Sequence, residues 1–70
     1  MLRSPVGSTA VASLGYDADA WTLEVEFTSG SVYRYFDVPE AEYRKLLAAE
    51  SIGEYLNHEI KPRYRYTRVG

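Results

Sequence analysis

Seventy residues, no cysteine and a formal charge of −2 describe one small domain that has to be held together by packing alone. The composition excludes a disulfide framework and a cysteine-type zinc site, and no apolar run approaches the roughly 18 residues of a membrane span. Met1-Leu2-Arg3-Ser4-Pro5 lacks the apolar stretch of a signal peptide, so a soluble cytoplasmic protein with no membrane partner is expected.

Residues 1–9, rich in Ser, Gly and Pro, read as a flexible lead-in to a single domain over residues 10–70. Val11 to Tyr16 reads as a first strand, and the acids of Asp17-Ala18-Asp19-Ala20 suit a connection in which they bond nearby amides. Trp21 to Thr28 alternates strictly. Trp21, Leu23, Val25 and Phe27 are expected toward a core, with Thr22, Glu24, Glu26 and Thr28 toward solvent. Ser29-Gly30 then reads as a two-residue turn into a third strand over Ser31 to Phe36. On that strand Tyr33 and Tyr35 share one face, and Val32, Arg34 and Phe36 the other; the pattern leaves open which face turns inward.

Asp37 is a candidate cap for a helix from about Glu40 to Glu50, with Pro39 tolerated in its first turn. Tyr43, Leu46 and Leu47 form its apolar stripe, while Glu40 with Arg44 and Glu42 with Lys45 read as solvent-side pairs. Ser51-Ile52-Gly53-Glu54 has the form of a capping box, starting a second short helix with Ile52, Tyr55, Leu56 and Ile60 inward. Pro62 limits its continuation, and Arg63 to Val69 reads as extended, either a fourth strand at an edge or a tail laid over the sheet. The fold class is therefore α+β: a three-stranded antiparallel meander, with or without a C-terminal edge strand, packed against two short helices in the order β-β-β-α-α-(β).

Taken together, Ser8, Val11, Ser13-Leu14-Gly15-Tyr16-Asp17, Leu23, Val25, Phe27, Gly30, Tyr33, Tyr35 and Val38-Pro39 resemble the KTSC domain, named for the C-terminus of some lysyl-tRNA synthetases. Tyr43, Leu46-Leu47, Ala49, Ser51, Gly53, Tyr55, Asn57, Ile60 and Tyr64 continue the likeness, which runs from about Ser8 to Val69. Leu56 stands where that family often has Phe, and Arg65 and Arg68 lie where the resemblance is loosest. The resemblance implies a stand-alone copy of the domain and makes RNA contact attractive by association with the synthetases.

Two tripeptides, Tyr33-Arg34-Tyr35 and Tyr64-Arg65-Tyr66, hold four of the seven tyrosines. Rings that stack on bases, interleaved with guanidinium groups that bind phosphate, are the chemistry of a single-stranded nucleic-acid surface. Residues 58–70 carry four cations against one carboxylate and residues 1–57 four against nine, so a basic edge lies on an acidic body. The candidate surface is Tyr33, Arg34, Tyr35, Lys61, Arg63, Tyr64, Arg65, Tyr66 and Arg68, with single-stranded RNA or DNA as partner. The competing readings are that the rings pack the core and the tail is simply solvated. Ser51 and Gly53 are a weaker candidate for an anion at a helix start, opposed by Glu54. His58 is alone, so no metal site, cofactor or catalytic residue is expected. The alternative function is a protein-interaction module working through a sheet edge or its aromatic surface, without catalysis.

Overall fold

One extra residue in a hairpin turn decides which side chains share a face. In a computed structural model, which describes residues 2–70, strand β3 (Thr22–Phe27) and strand β4 (Val32–Tyr35) pair antiparallel with Val25 opposite Tyr33 and Glu24 opposite Arg34. That register requires a three-residue loop, Thr28-Ser29-Gly30, rather than the expected two-residue turn. Phe27 N–H donates to the Ser31 carbonyl, Gly30 N–H donates to the Phe27 carbonyl, and Gly30 at φ 97° takes the left-handed position such a loop needs. A two-residue turn would have shifted the pairing by one and sent every β4 side chain to the opposite face.

The sheet has five antiparallel strands in the order β1-β2-β3-β4-β5, two more than the expected meander. Strand β2 (Val11–Asp17) pairs with β3 through a bulge at Ala12: Val11 faces Phe27, while Ser13 already faces Glu26. The bulge lets Val11 and Leu14 both point inward, which simple alternation forbids. Strand β1 (Ser4–Pro5), within the expected lead-in, pairs with Ser13 and Leu14 at one edge, where proline's missing donor costs nothing. Strand β5 (Tyr66–Arg68) pairs with β4 at the other edge, so the C-terminal stretch is a strand and not a tail laid across the sheet.

Helix α1 (Glu40–Ala48) and helix α2 (Ile52–Tyr55), the latter passing directly into a π-helical turn (Leu56–Ile60), cover one face of the sheet. Val11, Leu14, Leu23, Val25, Tyr35, Val38, Leu46, Leu56 and Ile60 form the core. Ser51 caps α2 as expected, its hydroxyl accepting from Glu54 N–H at 3.2 Å. A Cβ at Gly53 would lie 3.4 Å from that of Ala10, an ordinary van der Waals contact, so packing does not demand glycine there. None of the described helices is long and apolar enough to cross a membrane.

Four local expectations are corrected. Trp21 is not a core residue: it closes the β2–β3 connection with φ 52°, stands 52% exposed and leaves Thr22 to start the strand. Asp17 Oδ1 accepts from Asp19 N–H and Ala20 N–H, and that tight turn places Trp21 beyond the strand's pleat. Asp37 does not cap α1; Pro39 occupies the capping position with no side-chain bond, and Asp37 at φ 59° turns the chain out of β4. Leu47 is exposed, and the inward position goes to Glu42, which is 7% exposed and pairs with Arg63 rather than with Lys45. Tyr43 serves the core by stacking on Tyr16 at 4.8 Å, and burial raises both phenols' pKa, Glu40 and Asp17 adding to the shift at Tyr16.

Candidate functional site

Because strand residues alternate, Tyr33-Arg34-Tyr35 is split between faces, and of the second unit only Tyr66 lies in a strand. Tyr33 and Tyr35 share the helix-bearing face, and β5 delivers Tyr66 opposite Tyr35 and Arg68 opposite Tyr33 on that same face. From the helical layer only Lys61, at the end of the π-helical turn, lines this end of the sheet. What remains is an open trough of about 390 Å³, lined by Phe27, Ser29, Ser31, Tyr33, Tyr35, Lys61 and Tyr66. Its volume lies at the lower end of the range of about 300–1,000 Å³ typical of small-ligand sites.

The rings make a continuous series. Phe27 meets Tyr33 edge-on with centroids 5.7 Å apart, and Tyr66 leans on both Tyr33 and Tyr35 at 5.7 Å. Such spacings hold aromatic rings in their favoured tilted geometries. Lys61, leaving the end of the π-helical turn, places its ammonium 5.1 Å from the Phe27 ring centre and puts one cation on the wall. Tyr66 is 57% exposed and presents a ring to solvent, whereas Tyr35 is 2% exposed and forms the floor. Burial, followed by the neighbouring Tyr33 and Tyr66, pushes the Tyr35 phenol up to about 12, so it keeps its proton throughout the neutral range.

The other expected site residues lie elsewhere. Arg34 is on the opposite sheet face, where its Nε donates to Glu24 Oε1 at 2.9 Å; Arg3 flanks the same carboxylate at 3.5 Å. Between these arginines Glu24 is only 6% exposed, although the alternation assigns it to the solvent face. Arg65 lies over Phe36 and 3.7 Å from Asp37. Arg63 joins Glu42 and Glu59 at 3.6 and 3.3 Å. Tyr64 packs against the core, where burial foremost and then the Glu42 charge raise its pKa. Arg68 is on the trough's face, with Nε donating to the Gly70 carbonyl at 2.9 Å. Of the nine residues, Tyr33, Tyr35, Lys61 and Tyr66 line the trough and Arg68 stands beside it. The Ser51 hydroxyl is already engaged by the Glu54 N–H, and His58 lies exposed on the π-helical turn near Ala49, Glu50 and Glu59.

Phe27, Ser29 and Ser31 were absent from the sequence-derived surface. Phe27 read as core because it continues the Leu23-Val25 stripe. The signal that moves it is Gly30 in the third loop position, which sets Phe27 across from Ser31 at the sheet's uncovered end.

A family model for the KTSC domain matches residues 7–64. A protein from Stutzerimonas stutzeri is 46% identical over 70 residues, with 99% of each chain covered. The lysine-tRNA ligase of Nostoc punctiforme is 37% identical over 68 residues, a stretch that includes 97% of this chain and 12% of the ligase. A crystal structure of a KTSC domain protein from Yersinia pestis superposes with a TM-score of 0.95 at 33% identity, covering 99% of this chain and 97% of that one.

Proposed function

This chain belongs to the KTSC domain family, and from that footing we propose that it is a small accessory module that binds single-stranded RNA at the tyrosine trough. The observation that carries the reading is the convergence of Phe27, Tyr33 and Tyr66 with the Lys61 ammonium on one open face. An exposed tyrosine ring offers a stacking surface to any base, worth about 1–3 kcal/mol per base. Lys61 on the trough wall and Arg68 beside it are the cations available to the phosphates of such a strand. The kinship with a segment of lysine-tRNA ligases supports RNA over DNA as the partner.

The site is smaller than a platform built from both tripeptides, because Arg34, Arg63 and Arg65 are engaged with carboxylates away from the trough. It suits one or two nucleotides of a flexible strand. Titrating a labelled single-stranded RNA with the wild type and with Tyr66→Ala tests the reading: the substitution should weaken binding by about 5- to 150-fold, the loss of one stacked base. Unchanged affinity in Tyr66→Ala would remove the trough from the account.

One observation favours a second reading. The β5 edge is open and all three of its residues are exposed, so an extended segment of another protein could add to the sheet there. Binding through that edge would be nearly indifferent to salt.

A further inference from the structure

The two edges of the sheet are finished differently. Strand β1 carries Pro5, which blunts its edge, whereas β5 leaves Tyr66, Thr67 and Arg68 all exposed, with no strand beyond it among the described residues. Phe36 N–H donates to the Arg65 carbonyl and Val69 N–H to the Val32 carbonyl, so the backbone groups of Arg65, Thr67 and Val69 turn toward β4. Alternation turns those of Tyr66 and Arg68 outward, and their N–H and C=O groups line the open edge. The Tyr66 and Arg68 side chains lie on the trough face, and Thr67 lies with Arg34 on the opposite face.

We propose that this edge is taken by a second copy of the chain, β5 pairing antiparallel with its counterpart about a two-fold axis at Thr67. The inference stands on the open edge and is independent of the RNA reading. For the outward groups of the two strands to meet, the axis has to pass through Tyr66, Thr67 or Arg68. Centring on Arg68 sets the two Arg68 guanidinium groups opposite each other, and like charges so placed repel. Centring on Tyr66 leaves Arg68 opposite the second copy's Tyr64, which packs against the core outside the strand. Centring on Thr67 sets Tyr66 across from the second copy's Arg68, and Arg68 across from the second copy's Tyr66. Each such pair exchanges both backbone bonds while a guanidinium meets a tyrosine ring. Arg65 falls across from the second copy's Val69, so no cation directly faces another. The axis stands perpendicular to the sheet, and both troughs therefore open on one face, each with the second copy's Arg68 beside its Tyr66. Strands this short make a small interface, and the dimer is weak and concentration-dependent.

Analytical ultracentrifugation without RNA, from about 10 μM to about 1 mM protein, tests the inference on the wild type, on Thr67→Lys and Thr67→Glu alone, and on their equimolar mixture. The wild-type mass should climb with concentration from that of one chain toward that of two. Either substitution alone puts like charges together on the axis, at a pair that is not hydrogen-bonded and so brings side chains closest. Each should weaken self-association by about tenfold or more, and the mixture should restore it, because opposite charges then meet. Thermal melting checks the fold: Thr67 is exposed, and Thr67→Glu faces Arg34 across the β4–β5 pair, so its Tm should hold. Arg68→Pro deletes an outward N–H without touching the β4 pairing and should also weaken the dimer by about tenfold, a second variant that adds no charge. A wild type that keeps the mass of one chain throughout overturns the inference. So does a dimer that Thr67→Glu and Arg68→Pro form as readily as the wild type, or one that the charge-swapped mixture fails to restore.

Discussion

Arg34 Nε donates to Glu24 Oε1 at 2.9 Å, directly across the β3–β4 pair and on the sheet face opposite Tyr33 and Tyr35. The contact removes from the candidate surface the cation that the sequence places at its centre. Arg34→Ala should therefore leave RNA affinity unchanged. Its cost is structural and small, about 1 kcal/mol or less, since the guanidinium is partly exposed and Arg3 still faces the carboxylate. Parallel RNA titration and thermal melting check both halves, and a large loss of affinity would return Arg34 to the site.

The face on which Arg34 lies follows from the three-residue loop closed by Gly30 at φ 97°. Alanine would find open space there but an unfavourable backbone, so Gly30→Ala should lower stability by about 1 kcal/mol or more. For a domain of this size, that corresponds to a Tm lower by about 4–8 °C per kcal/mol. Gly30→Asn should lose less, because Asn tolerates the left-handed region. Equal Tm values for wild type and Gly30→Ala would contradict the register argument.

Tyr64 and Tyr66 look alike in sequence and differ in role. Tyr64 is half-buried against the core and near Glu42, while Tyr66 stands on the edge strand in the trough. Tyr64→Ala should cost about 1–3 kcal/mol of stability, read as a fall in Tm, while affinity measured below the transition stays close to wild type. Tyr66→Ala should show the reverse pattern. Loss of RNA binding by a folded Tyr64→Ala would show that the second tripeptide acts as a unit.

Alkaline pH probes the trough floor. The unfolded chain releases a tyrosine proton near 10, whereas the folded protein holds that of Tyr35 to about 12. Its contribution to stability is thus complete below pH 10 and is lost as pH rises through about 12. Tyr16, Tyr43, Tyr55 and Tyr64 are raised as well and act in the same direction. Tm should decline across that window, and Tyr35→Phe should decline less steeply than the wild type. Superimposable pH profiles for the two proteins would place the Tyr35 phenol in water.

Residue patterns made much of this structure legible. The Leu23-Val25 alternation, the Ser51 cap, the inward Leu46, Leu56 and Ile60, the stop at Pro62 and the KTSC likeness all read directly from the chain. Features set by long-range pairing did not. Ser4–Pro5 has no strand signature of its own and gains one only by lying beside Ser13 and Leu14. Glu42 reads as a surface acid because its partner, Arg63, is distant in sequence. The trough was half visible: its tyrosines and Lys61 stood out by composition, but a linear Tyr-Arg-Tyr unit cannot lie on one face of a strand whose side chains alternate.

The most direct test of the trough as an RNA site is the salt dependence of single-stranded RNA binding between about 50 and about 200 mM salt. Two phosphate contacts, at Lys61 and Arg68, give a logarithmic slope of about −1.4 and an affinity loss of about sevenfold over that range. The five cations of a platform made from both tripeptides would give a loss above one-hundredfold. A loss near sevenfold that shrinks in Lys61→Ala is the predicted result. No binding at the lower salt, or binding indifferent to salt, would contradict the RNA reading and direct attention to a protein partner at the β5 edge.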